Sequence, residues 1–196
     1  VLGVTTVGGN SGLANTTRNA LQVLESVGRT DVPVAPGADH PLVRPLVIAD
    51  HVHCASGMEG PSLPEPTTPA LDEHAVDFLA RLVATSPEPP TLVATGPLTN
   101  VALFVRRHPG AAADLRRVVL MGGGVAVSNI TPAAEFNVWA DPEAAEVVFD
   151  SGLDVTMVGL DVTHRALVGP DDVDRSRGVA AAFVADLLEF FGRFHR

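Results

Sequence analysis

The feature that most constrains the fold is a recurring unit in which a short apolar run meets glycine and then gives way to a helical pattern. Val1 to Val7 is apolar and rich in β-branched residues, and Gly8-Gly9-Asn10-Ser11-Gly12 turns it into a stretch with Leu13, Thr17, Ala20, Leu21, Leu24 and Val27 at helical spacing. Gly28 closes that helix. Asp31 to Ala35 reads as a short strand near a sheet edge, because Pro33 lacks the N–H that an inner strand would need. Thr91-Leu92-Val93-Ala94-Thr95 is a continuous run of the kind found in buried parallel strands, and Gly96-Pro97 starts a helix with Leu98, Val101, Ala102 and Val105 inward. Val118-Val119-Leu120-Met121 runs into Gly122-Gly123-Gly124, and Asp154 to Leu160 is another strand. Strands separated by helices require right-handed crossovers, so the class is α/β: an open, mostly parallel sheet with helices on both faces.

With 196 residues, 46% hydrophobic and 18% charged, the chain suits a single domain over residues 1–196. Its net charge of -10, with 13 scattered basic residues, argues against nucleic acid or an anionic membrane as partner. No apolar run approaches the roughly 20 residues needed to span a bilayer. Cys54 is the single cysteine, which excludes an intrachain disulfide and suits a cytoplasmic setting. Val1 opens in what reads as a strand entered partway through a domain, and Phe190 to Arg196 stops in a helical pattern without a cap. The domain is therefore expected to be incomplete, truncated at both termini.

Between the first strands and the later units lies Pro36 to Pro69, a Pro- and His-containing connection long enough to cover a ligand. A helix is expected from about Leu71 to Thr85, with Val76, Leu79, Leu82 and Val83 on one face. The last helix, Gly178 to His195, carries a stripe of Val179, Ala182, Phe183, Leu187, Phe190, Phe191 and Phe194. Core packing accounts for that stripe, and a homo-oligomer formed through it stays open.

In open parallel sheets ligands bind beyond the carboxyl ends of the strands. Those ends here are Gly8-Gly9-Asn10, Thr95-Gly96, Met121-Gly122-Gly123-Gly124 and Asp161-Val162-Thr163-His164. After the third of them comes Ala134-Glu135-Phe136-Asn137, followed by Asp141-Pro142-Glu143. In an extended segment Glu135 and Asn137 share a face and Phe136 takes the other; a carboxylate beside an amide suits a ligand with several hydroxyls, such as a sugar. Asp141 reads as an N-cap with Pro142 at the first helical position.

Taken together, Thr5-Thr6-Val7-Gly8-Gly9-Asn10, Ala94-Thr95-Gly96-Pro97-Leu98-Thr99-Asn100, Val118 to Gly123, Ala134 to Asn137 and Val158 to His164 resemble the inosine/uridine-preferring nucleoside hydrolases, in order and through nearly the whole chain. The resemblance implies a nucleoside hydrolase-like fold with a Rossmann-like core. It also implies cleavage of the N-glycosidic bond of a ribonucleoside substrate by water, with calcium as cofactor. By the same resemblance the Thr95 carbonyl corresponds to a calcium ligand, and Asn10, Asn129, Glu135 and Asn137 correspond to ribose contacts. Met121 stands beside the sugar, and His53 and Phe136 stand near the base or the pocket wall. Departure of the base leaves positive charge on the ribose, which nearby carboxylate and amide oxygens stabilise.

The chain also departs from the family. Its aspartate-rich motif, Asp-x-Asp-x-x-x-Asp-Asp, which supplies most calcium ligands and the water-activating base, is absent, as is a later His-Asp pair. No catalytic residue is thus assigned within these residues, and the chain as it stands is expected to be inactive. The competing reading is a non-catalytic nucleoside-binding or degenerate domain. Where the family has His-Gly-Glu-Ser-Gly, this chain has His53-Cys54-Ala55-Ser56-Gly57, which leaves base preference open.

Several residues keep bland alternatives. Asn10 could cap the following helix, and Asn137 could satisfy a buried loop. Asp50, His51, His53, Cys54 and His74 could in principle meet zinc, but a second paired cluster is lacking. Asp161 and His164 read as turn-ordering side chains bonded to backbone. Asp171, Asp172 and Asp174 suit a helix start after Pro170.

Overall fold

The computed structural model describes residues 1–48, 56–168, 172, 178 and 180–192. Five strands and eight helices are named among them: β1 (Val4–Thr6), α1 (Leu13–Ser26), β2 (Val34–Pro36), α2 (Ala75–Thr85), β3 (Thr91–Ala94), α3 (Thr99–Arg107), α4 (Pro109–Ala113), β4 (Arg117–Met121), α5 (Phe136–Ala140), α6 (Pro142–Phe149), β5 (Val155–Val158), α7 (Leu160–Thr163) and α8 (Ala181–Phe191). Every pairing is parallel, as alternation with helices demands. The strands form two sheets, β1-β2 and β3-β4-β5. Among the described residues no strand bridges the edges of β1 and β3.

The register assigns the two faces of the larger sheet. Leu92 pairs with Val118 and Ala94 with Leu120, and this face packs on Leu98, Val101 and Ala102 of the α3 region and on Ala144, Ala145 and Val148 of α6. A second cluster joins Val76, Leu79 and Val83 of α2 to Phe104 and Ala112. Phe78 and Phe104 are fully buried, and each contributes about 2 to 3 kcal/mol by leaving water.

The opposite face departs from the expectation of a strand buried on both sides. Thr91 is exposed and Val93 is 63% exposed, so β3 is half-covered. Alternation of side chains puts these two on the face away from α3 and α6, where the described residues supply no cover.

Local boundaries moved for identifiable reasons. The second strand begins at Val34 rather than Asp31, because Pro33 serves the sheet through its carbonyl, which accepts from Val4 N–H at 2.9 Å. The helix expected from Leu71 begins at Ala75 with His74 as its N-cap, Nδ1 accepting from Val76 N–H. Leu71 is still extended enough to donate its N–H to the Val34 carbonyl. Gly28, at φ 69°, closes α1 in the left-handed conformation that glycine adopts without strain.

The connection after β2 is tied down at several points. Glu25 of α1 accepts from the N–H groups of Thr67 and Thr68, and Gln22 donates to the carbonyls of Leu63 and Pro64. Arg44 makes a forked ion pair with Glu143. Gly60 lies against α8, where an added Cβ would sit 2.8 Å from the Asp186 carbonyl.

Candidate functional site

The two sheets leave a cleft of about 260 Å³ between the edges of β1 and β3. Its walls come from Thr5 to Val7 and Leu92 to Thr95, and Asn10, Asn100 and Asn137 bring carboxamides to it. The cleft runs along both strands, past Leu79 and Val101, and Asn10, Thr95 and Asn137 line its part at the carboxyl ends of the strands, where α/β sheets place ligands.

Two residues expected at the sugar, Asn10 and Asn137, line this cleft together with Thr95, whose carbonyl was expected at calcium. Asn10 is not the cap of α1. The N-cap is Gly12, and it makes no side-chain cap bond. Thr95 is exposed at the end of β3. Asn137 is buried and donates from Nδ2 to the Met121 carbonyl at 3.0 Å and to the Thr95 carbonyl at 3.4 Å. The amide thus bridges the ends of β3 and β4, and its Oδ1 receives no bond among the described residues. Met121 contributes its carbonyl and its sulfur, the latter 3.5 Å from Asn137 Nδ2.

Glu135 and Asn137 do converge, but not by strand alternation. Glu135 is the extended N-cap of α5 (φ -87°, ψ 152°), and Phe136–Ala140 is helical, so Asn137 lies in the first helical turn. Glu135 is 3% exposed, and its Oε2 accepts from Gly123 N–H at 2.8 Å and from Val138 N–H at 3.3 Å. Asn129 accepts from Phe136 N–H at 2.9 Å. Two of the expected sugar contacts therefore satisfy the orphan donors of one short helix. Glu135 Oε1 and the Asn129 Nδ2 donor are left over by this capping. Phe136 packs on Trp139 with ring centroids 6.1 Å apart and is not part of the cleft wall.

His53 lies outside the described residues, as do Asp50, His51, Cys54, Asp171 and Asp174. His74 is engaged as the cap of α2.

Two residues outside the expected set organise the site. Asp141 is fully buried: its Oδ1 caps α6 at Ala144 N–H, while its Oδ2 accepts from the Thr99 hydroxyl at 2.6 Å and Leu42 N–H at 3.0 Å. The cap was legible in Asp141-Pro142; the contacts to Thr99 and Leu42 were not, since they join segments distant in sequence. Asn100 accepts from Ala38 N–H and donates to the Thr6 carbonyl, closing the floor of the cleft between β1 and α3.

Asp161, in the first turn of α7, accepts from the N–H groups of Val125 at 2.6 Å and Ala126 at 3.0 Å. Those two donors, Val125 first, hold its carboxyl below the usual aspartate range. The side-chain to backbone bonding expected of it is present, directed at the loop after β4 rather than at its own turn.

Against this geometry the sequence model of the inosine-uridine preferring nucleoside hydrolases matches residues 1–196. The chain belongs to this family. Among similar proteins, the pyrimidine-specific ribonucleoside hydrolase RihA of Salmonella newport is 49% identical over 199 aligned residues, covering 100% of this chain and 64% of that protein. The same enzyme from Escherichia fergusonii is 48% identical with the same coverage. The chain thus spans about two thirds of the length of these curated relatives. A plant nucleoside hydrolase, PpNRh1, superposes with a TM-score of 0.91 at 36% identity over 100% of this chain and 64% of that one. A purine-preferring ribonucleoside hydrolase from Gardnerella vaginalis gives 0.90 at 30% identity, over 97% of this chain and 63% of that one.

For this member of the nucleoside hydrolases, the fit of a calcium ion can be judged from its donors. Calcium takes six to eight oxygens, preferably several carboxylates. Thr95 brings one carbonyl, and among the described residues no group of three or more His, Cys, Asp or Glu side chains is arranged to hold a metal. The described residues alone do not make a complete calcium site. Among the described residues no helix is long and apolar enough to cross a membrane.

Proposed function

We propose that these residues form the ribose-holding part of a hydrolase that cleaves ribonucleosides to ribose and free base. The observation that carries this reading is the meeting of Asn10, Thr95 and Asn137, from the ends of separate elements, in one cleft beside the family's other polar positions. Amides both donate and accept, which matches vicinal hydroxyls better than charged groups would. As the base departs, the ribose gains oxocarbenium character, and the Glu135 carboxylate with the Asn137 amide oxygen supplies negative potential in a partly dry setting. Calcium would be held by the Thr95 carbonyl together with carboxylates from outside these residues, and would supply Lewis-acid chemistry there. Pyrimidine nucleosides are the first substrates to try, given the names of the relatives at 48 and 49% identity. A cytoplasmic setting fits a chain with one cysteine.

The product of the whole reading frame should release ribose from uridine in the presence of calcium, and more slowly from inosine. Release from neither would sink the reading. The 196-residue chain alone is expected to release no base. A second reading, nucleoside binding without cleavage, draws on the observation that Glu135 Oε2 is engaged in capping α5. Saturable uridine binding with no turnover by the whole protein would select it.

A further inference from the structure

The loop from Gly122 to Glu135 carries two expected sugar contacts, yet little apolar packing holds it. Val125 is 86% exposed, Val127 38% and Ile130 37%. Its order must come from hydrogen bonds, since a loop that buries little surface does not offset its own conformational entropy. At its base, Glu135 holds Gly123 N–H, Asn129 holds Phe136 N–H, and a turn joins Thr131 to Ala134. These ties close the loop on itself, and its first residue is held on the sheet by Gly122 N–H donating to the Val158 carbonyl at 3.3 Å. Its placement also involves α7: Leu160 donates to the Gly123 carbonyl at 2.9 Å, and both carboxylate oxygens of Asp161 are bonded to the consecutive N–H groups of Val125 and Ala126.

The turn that presents those two N–H groups is tight. An added Cβ on Gly124 would fall 2.0 Å from the Val127 carbonyl oxygen and 3.7 Å from Asp161 Oδ2. Gly159, just before α7, leaves no room for a Cβ either, with the Gly123 carbonyl 3.0 Å from that position. Small residues on both sides therefore let the carboxylate reach the loop backbone. Hydrogen bonds to a charged acceptor are about twice as strong as neutral ones.

We propose that Asp161 is a positioning residue for the sugar site: its carboxylate staples the Val125–Ala126 turn to α7 and so presets Asn129 and Glu135 for the ribose hydroxyls. The proposal rests on the nucleoside reading above for its sugar-holding half. The staple itself stands on the geometry alone. A preset loop contributes to ground-state and transition-state binding alike, so its loss raises KM more than it lowers kcat.

The test uses the protein made from its whole reading frame, as wild type, Asp161→Asn and Asp161→Glu. Asp161→Asn should speed hydrogen exchange at the Val125 and Ala126 amides about tenfold, with Val118 and Leu120 of β4 unchanged. In uridine hydrolysis the same variant should raise KM roughly fivefold or more with kcat within about twofold, and Asp161→Glu, which keeps the charge, should recover part of both effects. Unchanged exchange at Val125 and Ala126 overturns the staple. Faster exchange throughout β4 and β5, or a fall in kcat with KM unmoved, overturns the positioning role in favour of general destabilisation. Wild-type protein that cleaves no nucleoside defeats the parent reading and the sugar-holding half together, while the exchange arm still decides the staple.

Discussion

Asn137 donates its side-chain N–H to the Met121 carbonyl at 3.0 Å, and this bond fixes which way the amide faces. With Nδ2 committed to the ends of β4 and β3, Oδ1 is the amide atom left without a bond among the described residues.

Asn137→Asp should therefore be worse than its size suggests. It removes the donor and sets a carboxylate against the Met121 and Thr95 carbonyls. In the whole protein we expect uridine turnover to fall roughly a hundredfold for both Asn137→Ala and Asn137→Asp. The alanine variant should lose only about 1 kcal/mol in urea unfolding. Unaltered kinetics in either variant would remove Asn137 from the ribose site.

Asp141 joins α6, α3 and the connection after β2 through one buried carboxylate. Replacing it with alanine strands the Thr99 hydroxyl and the Leu42 N–H, at a cost of about 3 kcal/mol. Asp141→Asn, which keeps one acceptor, should cost less. Equilibrium unfolding of the three proteins checks the order, and equal stability of wild type and Asp141→Ala would contradict it.

Gly37 is held by contact rather than by its torsions. An added Cβ would sit 2.2 Å from Asn100 Oδ1, so Gly37→Ala must push the Asn100 amide away from Ala38 N–H and the Thr6 carbonyl. Overpacking of this kind costs roughly 1 to 3 kcal/mol. The cleft should also open at its floor, which uridine affinity measured by calorimetry would register as a loss.

Glu25 gives a pH dependence whose partners do not titrate. Hydrogen bonds from Thr68, then from Thr67, hold its carboxyl below the usual glutamate range. The stabilisation is fully present above the unfolded value, about 4.3, and is lost as pH falls through the lower folded value. Glu25→Gln should therefore narrow the gap from wild type as acid is added below about pH 4, and leave it constant near neutrality. A gap independent of pH down to about pH 2 would show that the charge on Glu25 contributes nothing.

How much was legible follows from the range of the interactions. Strand and helix order was written locally, in the apolar run at Val118 to Met121 and in the spacing of Val76, Leu79 and Val83, because periodicity decides which side meets a core. Asp141 was readable as a cap because its donor, Ala144, is three residues away. The conformation at Glu135 was misread as extended through Asn137, since the helix that begins at Phe136 is only five residues long and depends on Glu135 and Asn129 for its caps.

The sequence by itself determined the parallel α/β order, the family and the polar residues offered at the strand ends, all of which rest on local pattern. Only the tertiary structure decided which atoms those residues present. It committed Asn137 Nδ2 and Glu135 Oε2 to backbone partners, freed Asn10 from capping, and set Asp161 against a loop 35 positions earlier in the chain. Such assignments depend on long-range packing that brings separate strand ends together, and no spacing along the chain encodes them.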